Sequence, residues 1–247
     1  MLLEIAANSV ASALAAQDGG AGRVELCTAL ELGGLTPSHA QIALARERLH
    51  IPLYVLVRPR AGDFLYSDIE CETMLRDIEA CVALGCDGVV LGALDAEGRV
   101  DAARCRTLIA AAGKLGVTFH RAFDLSRDPA QALEAIVALG CERVLTSGAQ
   151  ASAAEGAALI RDLVVQANGR VVVMPGAGIT TQNIVALATA TGAREFHASA
   201  KGQLPSGMQH RRMLLSDMEG GELRSDEGQV RALASSLRTL AQKPAQA

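Results

Sequence analysis

Tryptophan is absent from this sequence, and only two Tyr and four Phe occur in 247 residues. So few flat aromatic faces exclude a base-stacking platform for single-stranded nucleic acid and the aromatic belts of a membrane barrel. An excess of positive charge is also missing: 23 basic against 27 acidic residues leave a net charge of −4, the wrong sign for a general nucleic-acid binder. No apolar run approaches the roughly 20 residues of a membrane-spanning helix, and the longest, such as 171–174, are strand-sized. The N-terminal segment carries Glu4 inside its apolar run with no basic residue before it, which does not fit a secretory signal. The six cysteines (Cys27, Cys71, Cys81, Cys86, Cys105 and Cys141) form no CxxC pair. Free thiols in a reducing cytoplasm are therefore expected, with no membrane or nucleic-acid partner.

What is present is alternation. Short β-rich runs at 2–8, 23–27, 53–59, 88–94, 117–124, 143–147, 171–174 and 195–199 are separated by helical stretches at 38–49, 67–84, 103–115, 129–139, 152–166 and 182–190, with a last helix at 227–240. Ser38 and Ser67 sit where helix caps belong, and Asp128 precedes Pro129 at a first helical position, the usual entry signals. Gly85, Gly116, Gly140 and Gly169 close helices before the next strand, as C-cap glycines do. Eight strand–helix units of about 31 residues match a single (β/α)8 TIM barrel of about 250 residues. The rival, a doubly wound open sheet, would carry GxGxxG after its first strand; Asn8-Ser9-Val10 has no glycine there. No linker divides the chain, so 1–247 is expected to be one barrel domain with a long polar loop at about 201–226. That loop reads equally as a lid over the barrel mouth or as a loosely packed tail.

Barrel chemistry is carried at the C-terminal ends of the strands. Glu4, Glu25, His120, Glu195 and His197 interrupt otherwise apolar strands, where ionisable groups are costly unless paired. One reading is a self-satisfying set of salt bridges, for example Arg58 with Glu25. The other is a functional pocket with Glu25, His120, His197 and Arg58 as catalytic candidates. A second constellation, Gly176-Ala177-Gly178 before a helix and Ser199 to Lys201 after the last strand, suits either an anion site or a tight turn. Arg58, Arg121, Gly176, Gly178, Ser199 and Lys201 are its candidate contacts. Cys27 is the one thiol at a strand end facing the expected pocket, and so the one candidate metal ligand.

Several blocks together resemble the CutC family. They are Glu25-Leu26-Cys27 with Gly33-Gly34-Leu35-Thr36-Pro37-Ser38, Arg58-Pro59-Arg60-Ala61-Gly62-Asp63-Phe64, Thr118-Phe119-His120-Arg121-Ala122-Phe123-Asp124, Pro175-Gly176-Ala177-Gly178 and Glu195-Phe196-His197-Ala198-Ser199. The resemblance spans about residues 1–201. It implies a TIM-type barrel in the cytoplasm, a homo-oligomer (dimer or tetramer) and a role in copper homeostasis. Leu65 stands where members often carry Cys, and Ala61 where Gly is common, so Cys27 has no thiolate partner in that loop. Two functions follow. In one, copper is bound through Cys27, with His120 or His197 beside it. In the other, a barrel enzyme acts on a small anionic or phosphorylated metabolite, with His120 or Glu25 as acid or base and Arg58, Arg121 and the Gly176–Gly178 turn holding the substrate.

Overall fold

The first seven strand-like runs pair in sequence order, and the eighth pairs back onto the first. The structure, a computed structural model, describes residues 1–210 and 220–242. Strands β1 (Leu2–Ala7), β2 (Arg23–Leu26), β3 (Leu53–Leu56), β4 (Gly88–Leu91), β5 (Gly116–Phe119), β6 (Arg143–Thr146), β7 (Val172–Pro175) and β8 (Glu195–Ala198) form one parallel sheet. Its order is β7-β6-β5-β4-β3-β2-β1-β8. Strands β7 and β8 approach each other across the remaining gap, so the sheet curls into a nearly closed (β/α)8 barrel of TIM type. Parallel pairing requires a crossover at each step. Helices α1 (Val10–Asp18), α2 (His39–Arg48), α3 (Asp68–Ala83), α4 (Ala102–Ala112), α5 (Pro129–Ala138), α6 (Ala157–Ala167) and α7 (Ile184–Thr191) supply it, and α8 (Glu227–Gln242) follows the last strand. None is long and apolar enough to cross a membrane.

The caps fall where the sequence puts them. Ser38 and Ser67 each close a capping box with Gln41 and Glu70, and Asp128 accepts from the amides of Ala130 and Gln131 ahead of α5. Three local expectations fail for physical reasons. Residues 117–124 do not run on as strand: β5 ends at Phe119, and Arg121–Leu125 coil into a 3-10 turn whose Ala122 amide donates to His120 Nδ1 at 3.1 Å. The segment 152–156 does not join α6, because Ser152 and Glu155 close a separate turn on each other. Gly116 does not end α4. Gly113 takes the positive φ of 61° there, and Gly116 opens β5 instead.

Gly116 and Gly88 make room for one side chain. A Cβ on Gly88 would stand 2.1 Å from Tyr54 Cε1, and one on Gly116 would stand 2.1 Å from the Tyr54 hydroxyl oxygen. Tyr54 lies across the N-terminal end of the barrel interior. Its hydroxyl donates to Glu142 at 2.7 Å, and the guanidinium carbons of Arg23 and Arg143 lie 5.2 and 5.0 Å from its ring centroid. All six aromatic residues of the chain are buried. The ends of the long polar segment form a separate antiparallel ribbon of β9 (Lys201–Leu204) and β10 (Glu222–Ser225). It is tied to β1 and α1 by Asn8 Nδ2 donating to the Leu223 carbonyl at 2.7 Å and the Ser225 amide donating to Ser12 Oγ at 3.1 Å. The middle of the expected 201–226 loop lies outside the described residues.

Gly88→Ala must displace Tyr54 or the strand carrying it, and overpacking of this kind costs about 1–3 kcal/mol. Urea denaturation of G88A is expected to show a loss in that range. The loss should shrink when Tyr54→Ala is added, since two residues in contact are coupled.

Candidate functional site

Strand register sets the inner charges on one level. Glu4 lies beside Arg23 on β2 and His197 on β8, so three inward side chains from three adjacent strands meet. Arg23 Nε donates to Glu4 and its Nη2 reaches Glu195 Oε2 at 2.6 Å. Arg143 Nε also reaches Glu195 Oε2, at 3.2 Å. His197 is bracketed by two carboxylates, with Nδ1 2.7 Å from Glu4 Oε1 and Nε2 3.3 Å from Glu25 Oε2. Gly176 lets the ring sit there: a Cβ on it would meet Leu145 Cδ1 at 2.5 Å and His197 Cβ at 3.3 Å.

Those neighbours divide the two glutamates. Burial works against the Glu4 charge, but the His197 hydrogen bond and the Arg23 charge outweigh it and hold the carboxyl down at about 2. Burial also acts on Glu25, and the nearby Glu4 charge adds to it. The pull of His197 and Arg23 is weaker there, so Glu25 is pushed up to about 7. Burial would lower His197, but Glu25 and Glu4 more than compensate and its imidazole is raised. Glu4 is thus held as an anion, whereas Glu25 holds its proton more tightly and faces a ring whose proton affinity is also raised.

Glu25 and His197 form part of the wall of a cavity of about 320 Å³ at the C-terminal mouth of the barrel. Cys27, Arg58, Phe64, His120, Arg121 and Asp124 also line it. Here the expected pairing of Arg58 with Glu25 is corrected. The Arg58 guanidinium donates to the carbonyls of Leu32 (2.9 Å), Gly34 (2.8 Å) and Gly62 (2.8 Å), and among the described residues it has no ion-pair partner. Carbonyl dipoles hold the arginine in place but do not cancel its charge. Phe64 separates it from His120, 5.0 Å from the guanidinium carbon and 4.8 Å from the imidazole centroid.

His120 is neutral. Burial first, and the Arg58 charge second, push it down to about 3. Because Nδ1 accepts the Ala122 amide, the ring proton must sit on Nε2, and that buried nitrogen has no partner. Gly92 provides the space, since a Cβ there would lie 2.8 Å from His120 Nδ1. Arg121 faces the same cavity but is committed, with Nε to Asp124 at 2.7 Å and Nη2 to Ser147 at 2.8 Å. Cys27 is buried, and burial followed by the Glu25 and Glu31 charges pushes its thiol far above the ordinary range.

The remaining anion candidates do not join them. Gly176, Gly178, Ser199 and Lys201 are not among the residues lining the cavity. The amide of Thr180 is capped by Asn183, whose side chain also donates to the Gly178 carbonyl. Lys201 is exposed on β9. The donor atoms of Glu4, Glu25 and His197 fall within 4.8 Å of one another, near enough for a metal ion, but both ring nitrogens already face carboxylates. Sequence reasoning passed over Arg23, Tyr54 and Arg143. The only signal was that two apolar strands begin with arginine.

Comparison with known proteins gives a consistent result. The CutC family model matches residues 1–202. A CutC family protein of Xanthomonas campestris pv. campestris (strain B100) is 59% identical over 239 residues, covering 97% of this chain and 100% of its own. One from Xylella fastidiosa (strain Temecula1) is 60% identical over 231 residues, covering 94% and 86%. The crystal structure of CutC from Streptococcus agalactiae, a protein named for copper homeostasis, superposes with a TM-score of 0.78 at 34% identity, covering 81% of this chain and 98% of that one.

The raised Glu25 carboxyl has a thermodynamic signature. Between the ordinary glutamate range and about 7, the folded chain retains a proton that the unfolded chain has released, so stability falls as pH rises. The full effect is on the order of 3 kcal/mol. His197, raised in the fold, adds stability that is complete below its ordinary range and is lost as pH climbs through its folded value. Glu25→Gln removes the first component. Chemical denaturation at pH 5 and pH 8 is expected to show the wild type losing markedly more stability over that interval than E25Q.

Proposed function

Because this chain belongs to the CutC family, we propose that it serves copper homeostasis, the role for which its Streptococcus agalactiae relative is named, through proton-transfer chemistry on a small polar ligand in the barrel mouth. The observation that carries this reading is the Glu4–His197–Glu25 chain in the cavity wall. Acid–base work calls for a group that titrates near the working pH and is oriented by its neighbours, and Glu25 with His197 meets both conditions. Arg58 supports a ligand that carries or develops negative charge, since a buried cation without a counter-charge is costly. Glu4 is a positioning residue: held ionised by its hydrogen bond to His197 and by the Arg23 charge, it fixes the His197 ring. The expected anion contacts reduce to Arg58 and, at the rim, Arg121.

Direct copper binding is the second reading, and Cys27 in the cavity wall favours it. The donors fit poorly. Cu(I) prefers soft thiolates, whereas among the described residues no cluster of metal-ligating side chains includes a cysteine. Burial keeps the Cys27 thiol protonated, and Leu65 occupies the loop position where a second sulfur would serve. The cytoplasm is the compartment this reading expects, because all six cysteines are free and five are buried. A homo-oligomer is expected on the family resemblance.

Two variants separate the readings. In thermal-shift measurements against a panel of small polar metabolites, Arg58→Ala is expected to abolish ligand-induced stabilisation while Cys27→Ala leaves it intact. In a Cu(I) competition titration, Cys27→Ala is expected to change affinity less than about twofold, far below the tenfold that 1.4 kcal/mol represents. Loss of stoichiometric Cu(I) binding in C27A, with no ligand found on the panel, would establish the copper site instead.

A further inference from the structure

The mouth combines three features that ordinary packing does not require. His120 holds a buried Nε2–H with no acceptor. Arg58 has both terminal nitrogens tied to three carbonyls and its Nε buried without a partner, so it contributes charge but no open fork. Glu25, across the cavity on β2, faces an imidazole through one oxygen. Permanent carboxylates and phosphates are bound by open arginine forks or by rows of free backbone amides. Here the forks of both Arg58 and Arg121 are occupied, and the Gly176–Gly178 turn is not part of the cavity wall. An uncommitted neutral donor beside an uncompensated positive charge suits an oxygen that is uncharged on arrival and becomes negative during the reaction.

Resting on the proposed proton-transfer function, we propose that the substrate is a small neutral hydroxycarbonyl compound, and that Glu25 removes the proton from the carbon next to its carbonyl while His120 Nε2–H and the Arg58 charge hold the resulting oxyanion. The electron pair of the broken C–H bond becomes the second bond of a carbon–carbon double bond. The carbonyl π pair moves onto oxygen, and the proton rests on Glu25. Its return to the same carbon regenerates the substrate or its mirror configuration. Its return to the neighbouring carbon, with the hydroxyl proton passing to the first oxygen, interchanges aldehyde and ketone. Nothing is oxidised or reduced overall and no co-reactant is consumed.

The titration behaviour agrees. A base near neutrality paired with an imidazole kept neutral is the division of labour that enolisation requires, and burial supplies both conditions here. The cavity of about 320 Å³ lies at the small end of ligand sites, matching a compound of about three to six carbons. Phe64, between Arg58 and His120, adds an apolar side chain to the cavity wall.

The test uses the full chain with dihydroxyacetone and glyceraldehyde in D2O, followed by proton NMR. The expected result is protein-dependent deuterium incorporation at the carbon next to the carbonyl. Glu25→Gln should abolish it, and His120→Ala should reduce it about 100-fold while saturation-transfer signals still report probe binding. Both variants are first checked for wild-type secondary structure by circular dichroism. Exchange that survives in E25Q overturns the proposal. So does binding of both probes without exchange, although the proton-transfer pocket then remains in question only as to substrate. If glycerol phosphate stabilises the protein in an Arg58-dependent way and neither hydroxycarbonyl binds, the substrate is a permanent anion: this proposal fails and the wider reading stands.

Discussion

Arg23 is the residue on which the rest of the interior depends. It bridges Glu4 on β1 and Glu195 on β8, so a single guanidinium spans the three strands where the barrel starts and closes. Three charges taken out of water carry a desolvation cost that only good geometry offsets, and removing one partner of such a set costs about 3–5 kcal/mol. The arrangement also has a chemical consequence. The His197 hydrogen bond and, after it, the Arg23 charge keep Glu4 ionised; Glu4 anchors His197 Nδ1, and His197 presents its other nitrogen to Glu25. Stability at the floor of the barrel and proton affinity at its mouth are two ends of one electrostatic chain.

The interior is therefore graded along the barrel axis. At the N-terminal end, Arg23, Arg143, Glu142, Glu195 and Tyr54 satisfy one another almost completely, and two glycines give up their side chains so that Tyr54 fits. At the C-terminal end satisfaction stops: His120 Nε2 and Arg58 Nε are buried without partners. Buried polar groups are rarely left unpaired, because each costs about 1–3 kcal/mol. Of the three such atoms among the described residues, the third being the Tyr66 hydroxyl, two fall on residues of one cavity, at the end where barrels conduct chemistry, which is the physical reason to place the proposed function there.

The sequence made the architecture legible because period and punctuation agree. Eight strand-length runs, Ser and Asp caps and return-turn glycines all reported the same (β/α)8 order, and strand parity alone aligned Glu4, Glu25 and His197 toward the interior. Pairing was not legible. Arg58 and Glu25 are both inward and oppositely charged, yet Arg58 turns to the carbonyls of the Leu32–Gly34 and Gly62 loops, a choice made by loop geometry that no spacing encodes. Glycine was ambiguous for the same reason. Gly176 reads as a phosphate-binding turn but is small because His197 and Leu145 occupy its side-chain space, just as Gly116 is small because of Tyr54. His120 carried the opposite ambiguity: a histidine at a strand end suggests a titrating group, and only burial, the Arg58 charge and the Ala122 amide on Nδ1 turn it into a neutral donor.

Copper homeostasis and enzyme chemistry need not compete for the same atoms. A carrier for Cu(I) requires accessible thiolates, whereas Cys27 is buried beside a carboxylate that opposes its ionisation. The same carboxylate, Glu25, is neutral or charged near pH 7 according to the position of one proton. A site that discourages a thiolate and holds a raised carboxyl fits the proposed proton-transfer role better than copper carriage. A neutral Cys27 therefore packs as a small apolar group beside Glu25. Burial raises the Glu25 carboxyl, and a protonated thiol in the same wall is compatible with that burial, so the cysteine that looks like a metal ligand in the sequence acts in the folded chain as part of the packing.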